Sequence, residues 1–116
     1  RAVGAGSSEV PLALIEAFHA KGVPVQQVYG MTETAPIAIA QSRDEALAAP
    51  GSIGRAAALC EARLAPLTGE ILVRGPNVMS GYWRREQATR EALDGEWFRT
   101  GDVGRCDEQG RFWFTD

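Results

Sequence analysis

The chain has 116 residues, the size of about one small domain, and with 45% hydrophobic and 23% charged residues it can bury a core. A net charge of −3 without a basic run argues against a nucleic-acid partner. No apolar stretch is long enough for a transmembrane segment.

Residues 2–3 predict the end of a strand leading into a glycine loop, Gly4-Ala5-Gly6-Ser7-Ser8. Ser8 is the expected N-cap of a helix whose first turn holds Pro11, where a missing N–H costs little. Leu12, Ile15, Ala17, Phe18 and Ala20 give a helical stripe, and Lys21-Gly22 is a stop signal. Residues 23–28 predict a strand. The first third is therefore a βαβ-like unit with both loops at one edge of a sheet, where α/β proteins bind ligands. After Gln41, residues 42–54 predict a surface loop with a helical turn. Short strands are expected at 60–64 and 70–74, joined by Pro66-Leu67-Thr68-Gly69 and ended by Gly75-Pro76-Asn77. A short helix follows at 86–93. Strands at 98–100, 103–106 and 111–115 complete the chain, with Asp107-Glu108-Gln109-Gly110 as a hairpin turn. The expected fold class is α/β: a partial βαβ layer over residues 1–49, then a distorted β-barrel subdomain over 50–116.

Two stretches carry chemistry. In Tyr29-Gly30-Met31-Thr32-Glu33-Thr34 the aromatic offers an apolar face to a base and the glycine lets backbone approach a ligand. The threonine hydroxyls can donate to phosphate oxygens, and the carboxylate can hold Mg²⁺ on those phosphates. In Trp97-Phe98-Arg99-Thr100-Gly101-Asp102 an aspartate after a strand can accept from both ribose hydroxyls; taken alone it reads as a turn aspartate. The glycine loop can present bare N–H groups to a ligand, or be an ordinary strand-to-helix turn. It is no P-loop, because no Gly-Lys-Ser/Thr follows.

Trp83, Trp97 and Trp113 read as core or rim packing, and Arg84, Arg85 and Arg90 as a solvated helix face. Cys60, Cys106 and the single histidine, His19, are too few for a zinc site of about four ligands. Unpaired cysteines fit a reducing cytoplasm, and His19 reads as a helix-surface histidine. Arg1 opens the chain without a methionine, and Asp116 ends it directly after an expected strand, so a piece of a longer protein is expected.

In order, these motifs resemble the adenylate-forming enzymes: acyl- and aryl-CoA ligases, peptide-synthetase adenylation domains and firefly luciferase. Ala5-Gly6-Ser7-Ser8 stands at the family's Gly-Gly-Ala-Pro, and Tyr29–Thr34 is its core motif unchanged. Pro50-Gly51-Ser52-Ile53-Gly54-Arg55, the run 69–83 and the run 97–104 follow further family consensus stretches. The resemblance implies two steps, in which a carboxylate attacks the α-phosphate of ATP and coenzyme A then displaces AMP. It places Tyr29 on the adenine, Thr32 on the phosphates, Glu33 on Mg²⁺ and Asp102 on the ribose hydroxyls. Gly4, Ala5, Gly6 and Ser7, with Gly30 and Met31, are implied to line the acyl pocket and adenine slot. Gln27 stands where the family often has an adenine-contacting Asn. Thr32 and Glu33 are the implied catalytic residues.

Three departures stand out. Ser7-Ser8 replaces Ala-Pro, the segment 63–69 is short, and the family's phosphate loop and catalytic lysine fall outside the chain. Asp116 matches the interdomain hinge aspartate. The implied parent is a cytoplasmic acyl-CoA ligase with ATP, AMP, coenzyme A and a carboxylic acid, preferably a fatty acid, as ligands. The isolated piece is expected to be inactive; self-association through its unpaired strand edges is one alternative to a functional reading. A carrier-protein-loading adenylation domain and a catalytically dead nucleotide-binding module are the alternatives.

Overall fold

The computed structural model describes residues 2–115. Asp116, the expected hinge residue, lies outside them. Strand β1 (Val3–Ala5) is followed by helix α1 (Leu12–Ala20) and strand β2 (Val25–Gly30), which pairs parallel to β1 from Val3 opposite Val25 to Ala5 opposite Gln27. The βαβ unit is thus present, with the glycine loop and the Tyr29 loop at the same end of the sheet. The helix starts later than the sequence suggests. Pro11, not Ser8, takes the cap position, and its carbonyl accepts from the N–H groups of Leu14 and Ile15. A residue preceding proline is pushed out of the helical region, so Val10 cannot belong to a first turn.

A short 3₁₀ turn, Thr32–Thr34, leads to β3 (Ile37–Ala40), which runs antiparallel to β2 and was not anticipated. Helix α2 (Arg43–Ala48) occupies part of the expected surface loop. A capping box starts it: the Ser42 hydroxyl accepts from the Glu45 N–H, and the Glu45 carboxylate accepts from the Ser42 N–H. Strand β4 (Arg55–Ala56) pairs with β3 and completes a four-stranded sheet in the order β1-β2-β3-β4.

The second sheet contains β5 (Glu61–Leu64), β6 (Glu70–Arg74), β7 (Leu93–Asp94), β8 (Trp97–Cys106) and β9 (Phe112–Phe114), with helix α3 (Glu86–Ala92) before β7. The short segment after β5 closes as a hairpin: the Ala65 N–H donates to the Glu70 carbonyl and the Gly69 N–H to the Ala65 carbonyl. The pairing order is β5-β6-β8-β7, with β9 also on β8. Among the described residues this is an open antiparallel sheet with two ends, not a closed barrel. The two strands expected at 98–100 and 103–106 are one bulged strand, β8, because the ladder to β6 resumes beyond Gly101.

One cluster of buried side chains joins the sheets: Ala38 and Ile39 from β3, Ile53, Ile71 and Val73 from β6, and Phe112 from β9. Backbone bonds reinforce it, from the Ile53 N–H to the Phe112 carbonyl and from the Phe112 N–H to the Gly54 carbonyl. Trp83 takes no part in a core. It is 84% exposed on the loop before α3, with the Arg84 guanidinium stacked near it. Trp97 is half-buried under the guanidinium groups of Arg63 and Arg74. No described helix is long and apolar enough to cross a membrane.

Candidate functional site

A cleft of about 470 Å³ opens where β1 and β2 end, against the second sheet. Ala5, Gly6, Ser7, Gln27, Tyr29, Gly30 and Asp102 line it, with Pro50, Gly51 and Trp113 among the other wall residues. The glycine loop is pressed onto β2. A Cβ on Gly6 would stand 2.6 Å from both the Val28 carbonyl oxygen and its Cγ2, so only glycine fits without a shift. The next residue, Ser7, has a φ of 77°, a left-handed conformation that costs a non-glycine residue about 1 kcal/mol.

Gln27 is buried at the base of the cleft. Its backbone N–H donates to Gln41 Oε1 at 2.8 Å and its amide nitrogen to the Ser52 carbonyl at 2.7 Å. Gln41 in turn donates to the Ala49 carbonyl and to Ser52 Oγ. One N–H of the Gln27 amide, the group expected on adenine, holds the 49–53 segment against the sheet, while the residue also lines the cleft.

Tyr29 and Asp102 meet across the two sheets. The phenol donates to Asp102 Oδ2 at 2.6 Å. Burial first, and then the bond to Asp102, push the phenol well above its ordinary range, so it remains a protonated donor at neutral pH. Asp102 keeps one carboxylate oxygen that Tyr29 does not use.

The Thr32–Thr34 turn lies past the cleft wall. Thr34 is fully buried; its hydroxyl accepts from the Met31 N–H and lies 3.0 and 2.9 Å from the carbonyls of Met31 and Pro36. The Thr34 hydroxyl is thus a structural element, not the phosphate donor its type suggests. Asn77 and the Met79 N–H clamp the turn by donating to the carbonyls of Thr34 and Glu33. Thr32 is exposed, and Glu33 Oε1 accepts from the Tyr82 hydroxyl at 2.8 Å. That bond, and then partial burial, raise the Tyr82 phenol above its ordinary value.

Of the expected site residues, Gly4, Met31, Thr32 and Glu33 do not line the cleft: Gly4 sits within β1 opposite Gln26, and the other three follow Gly30 beyond the rim. Gln41, Tyr82 and Glu70 were not singled out from the sequence. A glutamine directly after an apolar run, Ile37–Ala40, was the available signal for Gln41. His19 does more than cover a helix surface, since its Nε2 accepts from the Val25 N–H at 3.1 Å.

The family described as AMP-binding enzyme matches residues 1–83. Over 97% of its length the chain is 46% identical to the indoleacetate–CoA ligase of Aromatoleum aromaticum, of which it covers 24%. The o-succinylbenzoate CoA synthetase of Bacillus subtilis, solved with a product analogue, superposes over the whole chain with a TM-score of 0.93 at 35% identity, and the chain covers 26% of it. A fatty acyl CoA synthetase of Mycobacterium tuberculosis superposes over the whole chain with a TM-score of 0.88 at 32% identity, with 25% of that protein covered. The chain spans about a quarter of the length of these relatives. With the family match extending over residues 1–83, the chain belongs to the AMP-binding enzyme family.

Proposed function

We propose that these 116 residues are part of a longer, cytoplasmic acid–CoA ligase that uses ATP to make an acyl-adenylate and then transfers the acyl group to coenzyme A. The observation that carries this reading is the Tyr29–Asp102 pair, an aromatic and a carboxylate from different sheets, joined at the mouth of a cleft floored by a glycine loop. An adenosine fits that pair. Tyr29 supplies an aromatic face for the base, and the unused lone pairs of Asp102 accept the ribose hydroxyls. Gly6 leaves backbone bare beside the ligand. Thr32, exposed at the head of its turn, donates to phosphate oxygens.

Glu33 is the residue that would hold Mg²⁺. Among the described residues no three His, Cys, Asp or Glu side chains cluster as a metal site. A single carboxylate fits this cation nonetheless, because Mg²⁺ keeps several waters and takes phosphate oxygens as further ligands. A cation held there would supply charge neutralisation at the phosphates. The protein's own contribution is positioning and electrostatics.

The acid is aromatic in this proposal, in place of the fatty acid preferred from the motifs. Support comes from the order of likeness: the relatives named for indoleacetate and succinylbenzoate are 46% and 35% identical, the fatty acyl relative 32%. We also propose a subdomain division near residue 49, with the open second sheet forming one wall of a distorted barrel in the full-length protein. Acid-dependent ATP–pyrophosphate exchange by that protein, across aryl, fatty and amino acids, tests the function. Exchange with an aryl acid that collapses in Glu33→Gln is expected. ATP binding without exchange on any acid would replace this reading with a nucleotide-binding module.

A further inference from the structure

Strand β8 carries an irregularity that no sheet needs. Glu70 pairs with Val103 and Leu72 with Arg99, so Thr100, Gly101 and Asp102 stand opposite the single residue Ile71. Each is tied down. The Thr100 hydroxyl donates to the Ile71 carbonyl at 2.7 Å, the Asp102 N–H donates to that hydroxyl at 3.2 Å, and the Gly101 N–H donates to Glu70 Oε1 at 3.0 Å. Gly101 turns the chain with a φ of 81°. Such bulges re-aim a side chain, and here the one re-aimed is Asp102, which reaches Tyr29 at the cleft.

Glu70 is the unusual participant. It opens a strand whose next three residues, Ile71, Leu72 and Val73, are all buried, and it is itself only 9% exposed. A carboxylate in that place is costly unless its oxygens are satisfied. One oxygen takes the Gly101 N–H; the other takes the Arg99 guanidinium at 3.1 and 3.3 Å. Both partners flank Thr100, at the two sides of the bulge. Glu70 does not line the cleft. An apolar residue would serve the core as well, so the charge answers to the bulge.

We infer that Glu70 is a positioning residue: by gripping Gly101 and Arg99 it fixes the bulge that aims Asp102, and through Asp102 it sets the preference of the site for ribonucleotides over deoxyribonucleotides. The inference rests on the proposed reading of Asp102 as the ribose carboxylate.

The test is equilibrium binding of AMP, 2′-deoxy-AMP and 3′-deoxy-AMP to the full-length protein by calorimetry. Wild type, Asp102→Asn, Glu70→Leu, Glu70→Asp and Glu70→Gln are compared, with folding checked by thermal unfolding. Wild type is expected to favour AMP by about tenfold or more, the loss typical of hydrogen bonds to a charged group. Glu70→Leu should erase most of that preference while leaving deoxy-AMP affinity within about twofold, which a general loss of stability would not do. Glu70→Asp withdraws the oxygen from Gly101 by one methylene and should act in the same direction if the leucine variant fails to fold. Glu70→Gln keeps an acceptor for Gly101 and should retain most of the preference. An unchanged preference in folded Glu70→Leu or Glu70→Asp, beside a lost one in Asp102→Asn, would overturn the Glu70 inference alone. No ribose preference in wild type, or none lost in Asp102→Asn, would overturn the Asp102 reading and Glu70's role with it.

Discussion

The Tyr29 hydroxyl donates to Asp102 Oδ2 at 2.6 Å, and this bond crosses from the end of one sheet to a bulge in the other. Two groups proposed for opposite ends of an adenosine are therefore mechanically linked. Asp102 is oriented from below by the bulge and from the side by a phenol that burial keeps protonated. A disturbance at either residue is felt at both.

Tyr29→Phe keeps the ring and removes the link. The expected outcome in the full-length protein is a KM for ATP raised about five- to tenfold with kcat little changed, because one hydrogen bond to a charged group is lost while its partner stays wet. Tyr29→Phe and Asp102→Asn should be non-additive by about 1 kcal/mol in a double-mutant cycle. Full additivity would show that the two side chains act independently on the nucleotide.

Tyr82 holds the proposed magnesium carboxylate from outside, donating to Glu33 Oε1 from an exposed loop. Removing that donor frees the carboxylate to rotate. Tyr82→Phe is expected to raise the Mg²⁺ concentration for half-maximal pyrophosphate exchange by about threefold, the worth of a modest hydrogen bond, with an unchanged melting temperature. A lowered requirement would mean that the phenol competes with the cation.

Residues proposed to meet the ligand were legible because ligand chemistry dictates their type. Tyr29, Gly6, Ser7 and Asp102 come together at one cleft, as their motifs suggest. Residues that place them were not. Glu70 acts through a two-residue offset in strand register, which local sequence does not encode. Strand β3 escaped because Ala38 and Ile39, on opposite faces, are both fully buried, leaving no apolar–polar alternation to read. Gly101 looked like a turn between two strands, whereas the ladder continues beyond it. Ser8 looked like a cap until the steric effect of Pro11 on Val10 moved the helix start to Leu12.

Gln41 offers a test of the cleft base. It accepts from the Gln27 N–H and donates to the Ala49 carbonyl and Ser52 Oγ, all in a buried setting. Gln41→Leu leaves the buried Gln27 N–H without an acceptor and the Ala49 carbonyl with the Ser52 N–H alone, at a cost of about 2 kcal/mol. The segment it holds includes Pro50 and Gly51 of the cleft wall, so nucleotide affinity should fall together with the denaturant midpoint. Lost stability with intact affinity would separate the wall from the binding surface.

Asp107 anchors the last hairpin. Its Oδ1 accepts from the N–H groups of Gln109 and Arg111, and its Oδ2 accepts from Arg111 Nε at 2.7 Å and from the Trp113 indole. Burial works to raise its pKa, but the bonds from the Arg111 main chain, the Arg111 side chain and Trp113 outweigh it and hold the carboxyl lowered to about 2. The folded value lies below the unfolded value of about 4. The stabilising contribution is therefore complete above about pH 4 and is lost as pH falls through about 2. Asp107→Asn should lower the melting temperature at pH 7, and the gap to wild type should narrow steadily between about pH 4 and 2. Because Trp113 lines the cleft, the variant should also weaken nucleotide binding at neutral pH. A gap that stays constant with pH would mean that the Asp107 charge adds nothing to the hairpin beyond the shape of its side chain.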